Sequence, residues 1–192
     1  MIAQFVLSIM KTSSIISFFA LAPLVAEAYA PNPAVTVAAK GMSLLKPIFK
    51  VEALLQAAVL GAISKVDKEE VVEEINDNKT KNKALIYTYG LSPFSSEAVN
   101  ILEGTGYEFT EIELGAEWFL LGGKGSVTRV ALSEESEDGA TSLPKIFIGG
   151  QCIGGCSALA DLAENGELDM ILSQAKVPKK GAAKKPAFSF FN

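Results

Sequence analysis

A chain of 192 residues, 49% of them apolar, holds enough material for one modest core with extensions, so a single domain plus tails is predicted. Its net charge of -5, with no basic cluster inside the apparent domain, argues against nucleic acid as the main partner, because phosphate binding needs a dense cationic face. There is no histidine, and Arg129 is the sole arginine; losing imidazole removes His-based triads, His general bases and most catalytic zinc sites together.

The first fifty residues read as an address. Lys11 lies in a charged leader region, residues 15–25 form an apolar run broken only by Ser17 and Pro23, and Ala26 and Ala28 supply the small residues of a cleavage site, so residues 1–28 are read as a signal peptide. Because Lys11 interrupts the apolar stretch, the segment is expected to be cleaved and not to remain as a span. Residues 29–50 carry Lys40, Lys46 and Lys50 and no acid, the charge bias of a transit segment. The junction Ala28-Tyr29-Ala30-Pro31 resembles the Ala-aromatic-Ala-Pro cleavage motif of bipartite presequences that enter secondary plastids. That resemblance implies a plastid protein, stromal or thylakoid-associated; an ordinary secretory signal or a signal anchor is the alternative.

Residues 51–83 are read as a helical extension and linker. Leu54, Leu55, Ala58, Val59, Ala62 and Ile63 recur at helical spacing over 51–65, a stretch too short to span a bilayer and interrupted by Glu52 and Gln56. Two readings stay open: a helix packed on the domain or a partner, or an amphipathic helix lying on a membrane. The acidic run 67–74 would be repelled by anionic lipid and favours protein packing. Residues 76–83 are polar and aperiodic, and read as a linker.

The domain follows, over residues 84–173. Ala84-Leu85-Ile86-Tyr87-Thr88 is a short apolar run consistent with a buried strand. Pro93 falls where a helix opens, with Ser92 available as N-cap; Ala98, Ile101 and Leu102 form that helix's inner face, and Gly104 and Gly106 end it. Residues 109–114 alternate as a second strand, residues 124–132 form a helix after Gly122-Gly123, and residues 133–141 form an acidic loop. Ile146-Phe147-Ile148 and a glycine-rich turn complete an α/β order.

Within that frame Leu91-Ser92-Pro93-Phe94-Ser95 sits between strand and helix, followed by Leu143-Pro144-Lys145-Ile146-Phe147-Ile148-Gly149-Gly150, then Ile153-Gly154-Gly155-Cys156-Ser157, then Gly166-Glu167-Leu168. The ordered series resembles a glutaredoxin over residues 84–173. The resemblance implies a thioredoxin-like α/β fold: a four-stranded mixed sheet flanked by helices, here with an N-terminal helical extension and a C-terminal tail. It also places Ser92, Pro93, Phe94 and Ser95 where the family keeps Cys-Pro-aromatic-Cys. Pro144 matches the usually cis proline beside the active loop. Gly154 and Gly155 allow close backbone approach, and the N–H groups of Cys156 and Ser157 open a helix whose positive end holds the γ-glutamyl carboxylate of glutathione in the family. Leu143, Pro144, Gly154, Gly155, Cys156 and Ser157 are therefore the glutathione-binding candidates, although the glycines and the proline serve the fold whether or not a ligand binds.

The departures are as informative. A helix N-terminus that pulls a thiol toward neutrality cannot do so for the alkanol of Ser92, and no base is evident beside it, so Ser92 and Ser95 are expected to cap and to hydrogen-bond the loop. Tyr89 stands where many glutaredoxins have lysine, and Thr141 where they often have arginine, so glutathione is expected to bind weakly or not at all. Cys152 and Cys156, the only sulfurs able to react as thiols, are spaced C-x-x-x-C; with no histidine to help, no metal site and no resident cofactor are expected. Cys156, at a helix N-terminus, is the residual thiol candidate with a pKa open to lowering, or else a small buried residue; Cys152 is expected to be buried and inert. Residues 174–192 interleave Lys176, Lys179, Lys180, Lys184 and Lys185 with Pro178 and Pro186 and end in Phe188-Ser189-Phe190-Phe191, a cationic, disordered tail with aromatic anchors for an acidic protein or a membrane surface. The reading that results is a redox-inactive, protein-binding module, leaning against an enzyme. The alternative is a glutathione-dependent thiol-disulfide oxidoreductase or glutathione-binding sensor working through Cys156.

Overall fold

The structure, a computed structural model, describes residues 30–42 and 45–181. The signal-peptide stretch, the Ala28-Tyr29 part of the cleavage motif and the terminal phenylalanines lie outside the described residues. Two helices come first, α1 (Pro33–Met42) and α2 (Lys46–Ser64), then α3 (Lys68–Lys81). The remainder runs β1 (Ala84–Thr88), α4 (Pro93–Gly104), β2 (Thr110–Glu113), a short 3-10 turn at Trp118–Leu120, α5 (Gly123–Glu134), β3 (Lys145–Ile148), β4 (Gln151–Gly154), α6 (Cys156–Glu164) and α7 (Leu168–Gln174).

The sheet has the order β2-β1-β3-β4, with β1 parallel to β2 and antiparallel to β3, and β4 antiparallel to β3. This is the four-stranded mixed sheet of a thioredoxin-like fold. The central strands β1 and β3 are buried at every position, which explains why they read as continuous apolar runs. Ala84, Ile86, Ile146 and Ile148 point to one face and pack on Ala98, Ile101 and Leu102 of α4, Leu159 of α6 and Leu172 of α7. Leu85, Tyr87 and Phe147 point to the other and pack on Val71 and Ile75 of α3 and on Val127, Ala131 and Leu132 of α5.

Several boundaries differ from the sequence reading. Residues 76–81 are helix, not linker: Asp67 caps α3 by accepting the Glu69 N–H at 2.9 Å, and Val71 and Ile75, one turn apart, bury its inner side. Lys79 and Lys81 then sit in the last turn, where cations suit the helix dipole. The extension also starts well before residue 51, because α2 opens at Lys46 with Pro47 in its first turn. The C-terminal region is packed as far as Lys180: Val177 is buried, the Glu108 N–H donates to the Pro178 carbonyl at 2.7 Å, and the Lys180 N–H donates to the Gly106 carbonyl at 2.8 Å. A lysine-rich composition hides this anchor, in which the lysines themselves take part: Lys180 pairs with Glu103 and lies over the Phe109 ring, and Lys179 lies over the Tyr107 ring.

Helix α2 crosses α5 closely. A Cβ on Gly123 would sit 2.6 Å from the Leu60 carbonyl oxygen, so that position requires glycine for the crossing. The sole arginine fixes the same contact. Arg129 of α5 is 2% exposed; its Nη1 donates to Glu52 at 2.9 Å and to Gln56 at 3.4 Å on α2, its Nε donates to the Thr141 carbonyl at 3.0 Å, and it lies 5.7 Å from the Trp118 ring centre. Because it starts at Lys46, α2 is longer than the stretch read as too short to span a bilayer, and among the described residues it is the one helix long and apolar enough to cross a membrane, yet its Glu52–Gln56 side belongs to this network.

Candidate functional site

The active-loop segment is held by its own hydroxyls. Ser92 is the N-cap of α4, its Oγ accepting the Ser95 N–H at 3.4 Å, and Pro93 occupies the first turn, where its missing N–H leaves nothing unpaired. Ser95 Oγ accepts the Tyr89 N–H at 3.1 Å, and Ser96 Oγ donates to the Ser92 carbonyl at 3.2 Å. Ser92 and Ser95 are both buried, while Leu91 beside them is exposed.

Facing this loop, the Leu143–Pro144 peptide bond is cis. Gly154 adopts φ +109°, a backbone state that a side chain resists, and turns β4 into α6. No side chain caps α6, so its first N–H groups, those of Cys156 and Ser157 among them, open toward the groove.

The structure gathers Leu143, Pro144, Gly155, Cys156 and Ser157 around one cavity of about 120 Å³, together with Phe94. It leaves Ser92, Ser95 and Gly154 off that cavity's lining. The opposite wall is supplied by the extension, through Ala39 and Met42 of α1 and Lys46 and Phe49 of α2. Helix α1 is tied down by the Asn32 N–H donating to Glu97 Oε1 at 2.5 Å and by Lys40 Nζ to Asp161 at 2.7 Å. Nothing in the lysine-only composition of residues 29–50 signals this role; the spacing of Val35 and Ala39, both packed on the α4–α6 core, is the one clue in the sequence.

The electrostatics turn against thiol chemistry. Burial, with Glu97 adding to it, pushes the Cys156 thiol up to about 11, so the expectation of a pKa lowered by the helix N-terminus is corrected. Cys156 is 3% exposed, and the carboxylate that opposes its ionisation comes from α4, a neighbour that sequence spacing does not reveal. Cys152 is half-buried, not buried, and burial raises its pKa as well. Tyr89 is buried, and that burial holds its phenol well above the ordinary value, with Arg129 only partly opposing. Thr141 is buried too, its carbonyl taken by Arg129. At the cavity's far end, burial lowers the pKa of Lys145, whose Nζ donates to Ser136 Oγ at 3.1 Å. Burial also favours the neutral acid at Asp138, but hydrogen bonds from Lys46, Ser136 and the Ala140 N–H hold its carboxyl well below the usual range.

A mixed sheet in this order, a helix opening at the active loop, a cis-proline loop and an uncapped helix facing it define a thioredoxin-like domain. Known proteins narrow the class. No family model matches the chain. It is 36% identical over 90 residues to a probable glutaredoxin of Synechocystis, covering 47% of this chain and 92% of that protein. It is 31% identical over 103 residues to a chloroplastic monothiol glutaredoxin of Arabidopsis thaliana, covering 54% of each, so the chain spans about half the length of that relative. Among solved structures it resembles oxidized glutaredoxin 2 of Chlamydomonas reinhardtii, with a TM-score of 0.50 and 28% identity over 58% of this chain and 98% of that one. The buckwheat glutaredoxin–glutathione complex shares the fold at a TM-score of 0.51 and 21% identity, over 58% of this chain and 94% of that one. The chain belongs to the glutaredoxin family.

Proposed function

We propose that this protein is a redox-inactive glutaredoxin-like module that binds a protein partner, with Ser92 and Ser95 standing in for the redox thiols. One observation carries the reading: every candidate nucleophile at the groove is already occupied or neutral. The Ser92 and Ser95 oxygens are taken as caps and loop acceptors, and the Cys156 thiol is buried and protonated near neutral pH. The signal-like residues 1–28 and the chloroplastic relative support work in a plastid, in the stroma or peripheral to a thylakoid assembly, with residues 30–50 retained because α1 and α2 pack on the domain. The terminal phenylalanines, following Lys184 and Lys185, supply an anchor for that docking or for peripheral membrane association.

A second reading, a glutathione-dependent oxidoreductase or glutathione-binding sensor at Cys156, is favoured by the cavity that five of the six glutathione candidates share. Its size works against it. A cavity of about 150 Å³ admits benzene, so 120 Å³ does not enclose a tripeptide while α1 stays in place. The test is glutathione-dependent reduction of hydroxyethyl disulfide, with calorimetric titration of glutathione alongside. No turnover and no measurable heat are expected; turnover that vanishes in Cys156→Ser would overturn the module reading in favour of the second.

A further inference from the structure

We propose that α1 is a strap across the groove, which lifts off as a unit while the rest of the domain stays folded and so controls access to Cys156. The two ends of α1 are fastened to the two helices that flank the groove. At its start the Asn32 N–H donates to Glu97 of α4, and in its last turn Lys40 pairs with Asp161 of α6. Between these ties Val35 and Ala39 rest on the α4–α6 core, and Ala39 and Met42 close the cavity whose other wall holds Phe94, Cys156 and Ser157.

What makes α1 separable is that it satisfies its polar groups from its own sequence. Asn32 Oδ1 accepts the Ala34 and Val35 N–H groups at 3.0 and 3.4 Å, and the hydroxyl of Thr36, the one buried residue of the helix, donates to the Asn32 carbonyl at 3.0 Å. Lifting α1 therefore strands none of these groups. On the domain side Glu97 loses the Asn32 N–H, and water entering the opened groove replaces it. The apolar hold is small, since Val35 and Ala39 are only partly buried and Val37 and Met42 are exposed. The Lys40–Asp161 pair is itself about half exposed, and exposed pairs contribute little. By contrast α4 buries Ala98, Ile101 and Leu102, and α2 is clasped by the buried Arg129. Segments with few buried apolar contacts open locally, well short of global unfolding.

Opening changes the thiol together with the groove. With α1 in place Cys156 is buried, and that burial and the nearby Glu97 carboxylate both oppose its ionisation. Lifting α1 admits water to both groups, which weakens both effects. The inference concerns access to the thiol and not turnover, so it stands apart from the choice between a protein-binding module and a glutathione-dependent enzyme, and alkylation tests it separately from disulfide reduction.

Iodoacetamide alkylation of the full native chain at about pH 8, followed at Cys156 and Cys152 separately by peptide mass spectrometry, reads the opening. Val35→Glu, which sets a carboxylate under the strap, should speed Cys156 by about ten-fold or more, leave Cys152 on the other face of the sheet unchanged and hold the urea midpoint of the domain. Lys40→Glu should speed Cys156 by about three-fold, and adding Asp161→Lys, which restores the pair with its charges exchanged, should return the rate to that of the wild type. Val71→Ala, which loosens packing on the far face, should lower the urea midpoint without speeding Cys156. The proposal fails if Val35→Glu leaves the Cys156 rate within about two-fold of the wild type. It fails if Val35→Glu lowers the urea midpoint as far as Val71→Ala does, because α1 then belongs to the cooperative core. Faster alkylation of Cys156 in Val71→Ala overturns it as well, since the thiol is then uncovered by global unfolding.

Discussion

The two faces of the sheet are covered by different means. On the face carrying α4, α6 and α7, nearly all the packing is aliphatic, with Ala98, Ile101, Leu102, Leu159 and Leu172 closing over β1 and β3. On the other face, α5 is clasped by α2 and α3 through a buried guanidinium, a glycine crossing and peripheral ion pairs such as Lys68–Glu134 and Lys124–Glu74. Apolar packing tolerates sliding, whereas a planar guanidinium with three fixed acceptors specifies one orientation. The groove face carries the active-loop segment and the Leu143–Pro144 turn and holds α1, and the clasped face is where α2 and α3 are locked on.

The strongest way to break that contrast is to remove the clasp. Arg129→Met should cost about 3 kcal/mol or more, because it leaves the Glu52 carboxylate and the Thr141 carbonyl without their partner. Urea unfolding would show the loss, and α2 should become sensitive to limited proteolysis while residues 84–173 stay protected. A loss under about 1 kcal/mol with α2 still protected would mean that the aliphatic contacts of α2 suffice.

Substitutions on the groove face should cost less and leave α2 in place. Ser95→Ala removes the acceptor of the buried Tyr89 N–H and should cost about 1–3 kcal/mol. Ser92→Ala removes an N-cap whose bond is long, 3.4 Å, and should fall near 1 kcal/mol or below. If the order of the two were reversed, Ser92 would have a role beyond capping, and its hydroxyl would count again as a group free for chemistry.

These residues also show what a sequence reveals and what it withholds. The strands, the Ser92–Pro93 helix start, the Leu143–Pro144 turn and the glycine pair before α6 are legible because each is dictated by local chemistry: an apolar run, a cap, a fixed φ, a missing Cβ. The continuation of α3 through residues 76–81 is not, since its last turn is polar and is held by groups outside the helix: Asn78 Nδ2 donates to Tyr87 Oη, and Lys79 pairs with Glu135. Arg129 stands out in the sequence only as a count. Its importance comes from Glu52 and Gln56, 77 and 73 residues away, and no spacing rule connects them. The raised pKa of Cys156 escapes sequence reasoning for the same reason, because Glu97 belongs to a different helix.

Cys156 supplies the smallest and most specific test of the groove face. Its folded-state pKa, about 11, lies above the ordinary thiol value of 9.0, so the native state holds the proton more tightly than the unfolded chain does. The sign follows. The contribution of this thiol to stability is complete below the unfolded pKa and is lost as pH rises from about 9 toward 11. Cys156→Ser has no thiol to titrate, so the stability gap between wild type and variant, measured by urea unfolding at matched ionic strength, should shrink between about pH 8 and pH 11. Titration of tyrosines and lysines is common to both proteins and cancels in the difference. Iodoacetamide should correspondingly modify native Cys156 far more slowly at about pH 8 than it modifies the unfolded chain. A gap that stays constant with pH, or fast alkylation of the native protein, would place an ionisable, accessible thiol in the groove and would return Cys156 to the position of a working nucleophile.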